Sequence, residues 1–541
     1  MKQARGLRRA IGPSLVAAAG ILTLILAART FWYLFHSITN VPYGDQWVML
    51  DEIRKRQAGL IGWNYLWSPY WGQRLLLPRL LFLFSAKYLH YAMLPFILIN
   101  VTAQLAMLAV LIRTARRHLR GLLLFCIAAL ALAHLLLSSL QMEILVEGIE
   151  VQYTIGFAAA VAAICARRFW ASLVLAAVST LCLAVGPLVW PILALEAWMG
   201  GRKWRASALA VTAALIGFAY SMGYTRPSIG MGLAGMLRHP WQAFTITGLV
   251  LGGPASLYAR PFGTLVGCAG IVFAGVILVD AWRRRKPMSF VLVFCFMGAS
   301  AAAIAFGRLS PEWLASYHGL PLPSRYLAPT FVFWAALFTA ALICWPTARI
   351  VTRAATIGTW AAVLLLTFGT WNWQWRMPRE WATVSQGFDA IASGFFLPVS
   401  DQEYMSRIFP VEDLRTSLAG YMRDRRLGVF AEPRADWLGK NIAALAPPRA
   451  GHACQAAVRE NQPLGGSPPV YRIVGSLTLD RRAPSRSLDV LMTDSQGVVT
   501  GLARTLPAQS EGAPATDFFG YARGHPARLV LLGGRSCETA W

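Results

Sequence analysis

RTARRHLRGLLLFCIAALALAHLLLSSLQME (113–143) opens with a cluster of basic residues, runs through an apolar stretch from 121 to 139, and meets its first acid at Glu143. An apolar run of this length with no Asp, Glu, Lys or Arg inside reads as a membrane-crossing helix. The same arrangement recurs along the chain. Apolar residues make up 56% of the 541 positions and charged residues only 14%, the composition of a polytopic membrane protein. At the N-terminus, MKQARGLRRA leads into an apolar run from Ile11 that continues through FWYLF without a small-residue cleavage site, so it reads as a first span and not as a cleaved signal.

The net charge of +25 is explained by where the cations lie. MKQARGLRR, RTARRHLR, Arg167 with Arg168, GRKWR (201–205), RRRK (283–286), and Arg349 with Arg353 all sit in short gaps between apolar runs, and none of these stretches contains an acid. Placing all of them on the cytoplasmic side satisfies the positive-inside rule, so nucleic acid is not an expected partner. The spans then fall at 11–35, 91–112, 121–139, 151–166, 169–185, 187–199, 206–222, 262–281, 288–306, 327–345 and 354–371. That is about eleven crossings, with the N-terminus inside and the C-terminus outside. VGPLVWP (185–191) carries two prolines and predicts a tight break between two short helices. Residues 236–258 are apolar, yet a full crossing there would put RRRK outside, so a re-entrant or interfacial helix is expected.

Two outward segments are large. In 36–90, DQWVMLDEIRKRQAG sets Trp47, Leu50, Ile53 and Arg54 on one helical face, and RLLLPRLLFLFSAKYLHY follows; both read as interfacial helices on the membrane part, 1–371. Beyond it, 372–467 reads as a periplasmic helical segment. From 468 to 541 the period changes to two in VYRIVGSLTL, SLDVLMTD, GVVTGLAR, DFFGYAR and ARLVLLGG, predicting a small antiparallel β-sandwich. Six cysteines lie in or beside spans, while Cys454 and Cys537 bracket the strand region on the oxidising side, where a disulfide can form.

VPYGDQW (41–47) isolates one carboxylate, Asp45, just after the first span. Asp is a favoured helix N-cap, and a lone carboxylate at the outer interface can also take a proton from a hydroxyl or bind a cation. An outward loop that opens with an acid after the first span, followed by two interfacial helices, resembles the C-type glycosyltransferase (GT-C) fold. The segments GDQW, GQRLLLPRL (72–80), SRY (324–326) and the β-rich tail resemble bacterial membrane proteins of that type. The resemblance implies a polyprenyl-phosphate-linked sugar donor, a catalytic role for Asp45, and a bacterial inner membrane. Gly44 stands where many members of the fold carry the second acid of a pair, and the next acids are Asp51 and Glu52.

Outward arginines are not explained by topology. Arg74 and Arg79 open the second interfacial helix, Arg308 ends one span, and Arg325 opens the next with Tyr326 beside it. Their planar forks suit a lipid phosphate, although snorkelling to headgroups is the plainer role. In QMEILVEGIEVQY (141–153), Glu143, Glu147, Glu150 and Gln152 could meet an acceptor or assist Asp45, and solvated helix ends explain them almost as well. His318, in the loop before Arg325, could move a proton.

The combined expectation is a GT-C-like glycosyltransferase that moves a sugar from a polyprenyl-phosphate donor to a cell-envelope glycan or lipid acceptor. Asp45 is the expected base, and Arg74, Arg79, Arg308, Arg325 and Tyr326 are the donor-phosphate residues. No cofactor is required by the sequence; if a divalent metal such as Mg or Mn takes part, Asp45 is its expected ligand. The alternatives are a flippase for lipid-linked saccharide, or a non-catalytic membrane scaffold whose periplasmic domain binds glycan or protein.

Overall fold

The computed structural model describes residues 2–223, 232–284, 288–309, 322–397, 399–445, 454–478, 487–506, 515–532 and 535–540. The first helices are α1 (Lys2–His36), α2 (Gln46–Gln57), α3 (Leu76–Tyr88), α4 (Leu94–His118), α5 (Leu122–Leu136), α6 (Met142–Val146), α7 (Val151–Cys165), α8 (Phe169–Cys182), α9 (Val189–Met199) and α10 (Lys203–Ser221). There follow α11 (Gly232–Arg238), α12 (Pro240–Leu251), α13 (Arg260–Arg283), α14 (Ser289–Arg308), α15 (Ala328–Cys344), α16 (Ile350–Leu364), α17 (Trp371–Ile391), α18 (Gln402–Met405) and α19 (Glu412–Arg425). Among the described residues, eight helical segments are long and apolar enough to cross a membrane: Ser14–His36, Leu94–His118, Leu122–Val146, Gly148–Cys165, Arg260–Arg283, Ser289–Arg308, Ser324–Cys344 and Ile350–Gly369. The chain divides into two compact units, one of Met1–Phe31, Asn64–Arg79 and Ile97–Pro378, the other of Trp32–Trp63, Leu80–Phe96 and Arg379–Trp541.

The first unit is helical. Its segment Ser324–Cys344 is buried throughout, so α15 is apolar on all sides, as a helix enclosed by other helices must be. The 236–258 stretch is broken at His239 and again at Gly252. Its longest piece, α12, has 12 residues and reaches about 18 Å at 1.5 Å per residue, short of the roughly 30 Å hydrocarbon core. Glycines let α12 approach α13 closely: a Cβ on Gly252 would lie 1.7 Å from the Gly263 carbonyl oxygen, and one on Gly267 1.8 Å from that of Gly248. The last carbonyls of α12 have no partner in their own helix, and α15 supplies donors, Thr330 Oγ1 to Val250 O at 2.7 Å and Trp334 Nε1 to Leu251 O at 2.8 Å. The GPLVWP break holds as well, with Gly186 seated against the backbone of Ser179.

In the second unit, α2 differs from the expected interfacial helix. Trp47, Leu50 and Ile53 do share a face, but that face is buried in protein, Trp47 lying near Phe395 and Phe409 and donating Nε1 to Pro42 O at 2.6 Å. Side chains on α19 bond α2, Arg54 donating to Ser417 Oγ and Tyr421 to Gln57. A face covered by protein has no apolar surface left for a bilayer. By contrast α3 leaves Leu80, Phe84 and Tyr88 exposed at four-residue spacing, the stripe expected of a helix lying at an interface.

The strands are β1 (Cys454–Gly465), β2 (Val470–Thr478), β3 (Asp489–Thr493), β4 (Val499–Thr505), β5 (Ala515–Arg523), β6 (Arg528–Leu531) and β7 (Arg535–Ala540). They form one sheet in the order β1-β2-β5-β4-β3-β6-β7, closed by parallel pairing of β7 with β1. This corrects the sandwich and its start at 468. CQAAVRENQPLG carries polar residues on its exposed face, which masks the alternation; the buried Cys454 and Ala456 and the partly buried Val458 mark its inner side. Cys454 and Cys537 face each other in the closing pair and are joined as a disulfide. The interior is filled by Ile473, Leu477, Val490, Met492, Phe518 and Leu529.

Candidate functional site

Asp45 starts α2 but does not cap it. Its side chain makes no capping bond, and it has no hydrogen-bond or ion-pair partner among the described residues. The local turn is held by other groups: Gly44 adopts a left-handed φ of 52°, the Gln46 amide oxygen accepts from Tyr43 N at 3.3 Å, and Gln46 and Trp47 are buried. The result is an exposed carboxylate on a fixed corner.

Glu143 and its neighbours lie where two apolar segments, Leu122–Val146 and Gly148–Cys165, meet and the helix is broken into short pieces. Between α5 and α7 the chain runs through two short 3-10 turns and the five-residue α6, and the buried backbone at these breaks needs partners. Gln104 Nε2 donates to Leu136 O at 2.6 Å, Gln141 Nε2 to Leu135 and Leu136, and Asn100 Nδ2 to Glu147 O at 3.2 Å. Held this way, Glu143 Oε2 accepts from Ser324 Oγ at 2.7 Å and Arg325 N at 3.0 Å, while its Oε1 accepts from Arg325 Nη1 at 2.5 Å. Glu147 and Glu150 are also buried, within electrostatic reach of Arg325. They are therefore not solvated helix ends. Gln152 is buried too, and its Oε1 has no hydrogen-bond partner among the described residues. Tyr326 is buried, with the Arg325 guanidinium 5.4 Å from its ring centre. Arg325, expected to contact phosphate, is thus already paired with an acid expected to face the acceptor.

Arg74 and Arg79 correct the same expectation more strongly. They are 3% and 2% exposed, and their guanidinium groups bond main-chain carbonyls. Arg79 Nη1 donates to Tyr65 O at 2.7 Å and Ser68 O at 2.6 Å; Arg74 donates to Trp67, to Tyr220 O at 3.1 Å, and to Met222. Each ties a loop to a helix, using the donors that a phosphate would need.

Arg308, at the end of α14, differs from these. It is half-buried, has no hydrogen-bond or ion-pair partner among the described residues, and lies on the wall of a cavity of about 360 Å³. Trp71, Gln73, Tyr153 and Tyr220 line the same cavity. Tyr153 lies within electrostatic reach of Glu150, Arg308 and Arg325, so the cavity adjoins the acidic break. The sequence singled out Arg308, and Trp71 only as one of several aromatics near the span ends; nothing in it brought Gln73, Tyr153 and Tyr220 to the same cavity.

His318 lies outside the described residues. Among the described residues no group of three or more His, Cys, Asp or Glu is arranged to hold a metal ion. No family model, curated protein or solved structure matches the chain.

Proposed function

We propose that this chain is a GT-C-type membrane glycosyltransferase of the bacterial inner membrane, with its N-terminus cytoplasmic and its β-rich tail periplasmic. It would transfer a sugar from a polyprenyl-phosphate donor to a cell-envelope acceptor. The observation that carries this reading is Arg308: a half-buried guanidinium with no counter-ion among the described residues, on the wall of a cavity lined by aromatic and amide groups, suits an anionic polar ligand. The other face of α14, through Gly298, Ala302 and Phe306, lines an apolar cavity of about 540 Å³ that suits a prenyl chain.

In this mechanism Asp45 accepts the proton of the acceptor hydroxyl as its oxygen attacks the anomeric carbon. The bond from that carbon to the phosphate oxygen breaks and its electron pair leaves with the phosphate, whose growing charge a cation must stabilise. Arg325, neutralised by Glu143, positions the wall instead of binding the donor, and Arg74 and Arg79 stabilise loops.

A flippase for the same class of lipid is the second reading, favoured by the buried Glu143, Glu147 and Glu150 at a helix break. The two are separated by reconstituting the protein in vesicles with extracted polyprenyl-phosphate sugars and a cell-envelope acceptor fraction. A transferase releases polyprenyl phosphate and a glycosylated acceptor, detected by mass spectrometry. A flippase moves the intact lipid across the bilayer and changes neither.

A further inference from the structure

Tyr70-Trp71-Gly72-Gln73 is a tight turn closed by two backbone bonds, Tyr70 N to Gln73 O at 2.7 Å and Gln73 N to Tyr70 O at 2.8 Å. Both central residues are left-handed, Trp71 at φ 47° and Gly72 at φ 77°. Glycine accepts that conformation freely, but a bulky indole does not, and asparagine or glycine is the usual first residue of such a turn. Strain of this kind is retained where a side chain must stand in one place. The Trp71 side chain is 53% exposed and lines the Arg308 cavity, so burial does not compensate for the strain. Gln73, next on the same turn, is 7% exposed, and its carboxamide has no hydrogen-bond partner among the described residues.

We infer that this turn and Arg308 form a binding site for a glycosyl phosphate. The indole face of Trp71 stacks on the apolar face of the sugar ring, the Gln73 carboxamide bonds ring hydroxyls, and Arg308 binds the phosphate. A cavity that needed only an anion would have no use for a strained aromatic or an unpaired amide. One that held only a neutral sugar would leave the guanidinium uncompensated. The inference rests on the transferase reading for its choice of ligand and assigns the recognition of that ligand to named residues.

The test uses the full chain in nanodiscs, free of sugar detergents, titrated calorimetrically with pyranose 1-phosphates of gluco, galacto and manno configuration, with inorganic phosphate, and with the parent sugars. At least one pyranose 1-phosphate should bind about tenfold or more tightly than both inorganic phosphate and its parent sugar. Trp71→Gly should lower that affinity by about tenfold, leave inorganic phosphate unaffected, and leave the unfolding temperature equal or higher because the strain is relieved. Trp71→Tyr should restore most of the affinity, and Arg308→Gln should weaken both ligands. The inference is overturned if no pyranose 1-phosphate exceeds inorganic phosphate, or if the folded Trp71→Gly protein binds it unchanged. Turnover that depends on Asp45 alongside normal binding by Trp71→Gly would sink this inference alone. Normal turnover by Asp45→Asn with the expected binding pattern would sink the mechanism and leave the binding site standing.

Discussion

Glu143 and Arg325, 182 positions apart, form an ion pair of 2.5 Å in which the carboxylate also accepts from the Arg325 backbone N–H. The acid is buried and the arginine half-buried, so the two sides of the pair are not equivalent. Arg325→Met strands a buried carboxylate and should cost about 3 kcal/mol. Glu143→Gln keeps an acceptor for Ser324 and the Arg325 amide and should cost about 1 kcal/mol. Thermal unfolding of the two purified variants checks the order, and a reversed order would mean that Arg325 is held by something other than Glu143.

The disulfide joins the two strands that close the barrel, across a separation of 83 residues. Loop-entropy reasoning for a loop of that size gives about 4.5 kcal/mol as the most that removal would cost. Reductant, or Cys454→Ala with Cys537→Ala, should therefore lower the unfolding temperature of the full chain and expose the barrel to protease. An unchanged protease pattern would show that strand pairing alone closes the sheet.

Tyr521 donates to Asp401 Oδ2 at 2.9 Å, and Asp401 also accepts from Arg472 at 3.0 Å. Burial first, and the carboxylate beside it second, hold the phenol well above its ordinary value near 10. The folded state thus keeps a proton that the unfolded chain gives up above about pH 10, so this stability is present below pH 10 and lost as pH rises further. Denaturant melts from pH 8 to 11 should fall more steeply for wild type than for Tyr521→Phe. Parallel curves would remove Tyr521 from the alkaline transition.

What the sequence disclosed follows from how each signal is written. Hydropathy is local, so the long apolar helices were legible, as were the period-two strands β2 to β6 and the pairing of Cys454 with Cys537. Partnerships across the chain were not. Nothing in GQRLLLPRL shows that Arg74 and Arg79 will meet main-chain carbonyls at Trp67, Tyr220 and Tyr65, and nothing near Glu143 points to Arg325. β1 was hidden because its outward residues, Gln455, Arg459 and Asn461, read as loop, and its closure with β7 depends on pairing between distant segments. Amphipathicity located the α2 helix but could not say whether protein or lipid covers its apolar face.

The catalytic role of Asp45 is the central claim. Asp45→Asn preserves shape, and because the carboxylate has no partner among the described residues, the unfolding temperature should be unchanged. The measurement is release of polyprenyl phosphate by wild type and Asp45→Asn in nanodiscs, with the same donor extract and acceptor fraction. Base catalysis by Asp45 predicts a loss of about 10²-fold or more, the size of a general-base contribution, in a variant that melts with wild type. Equal turnover by the two proteins would contradict it.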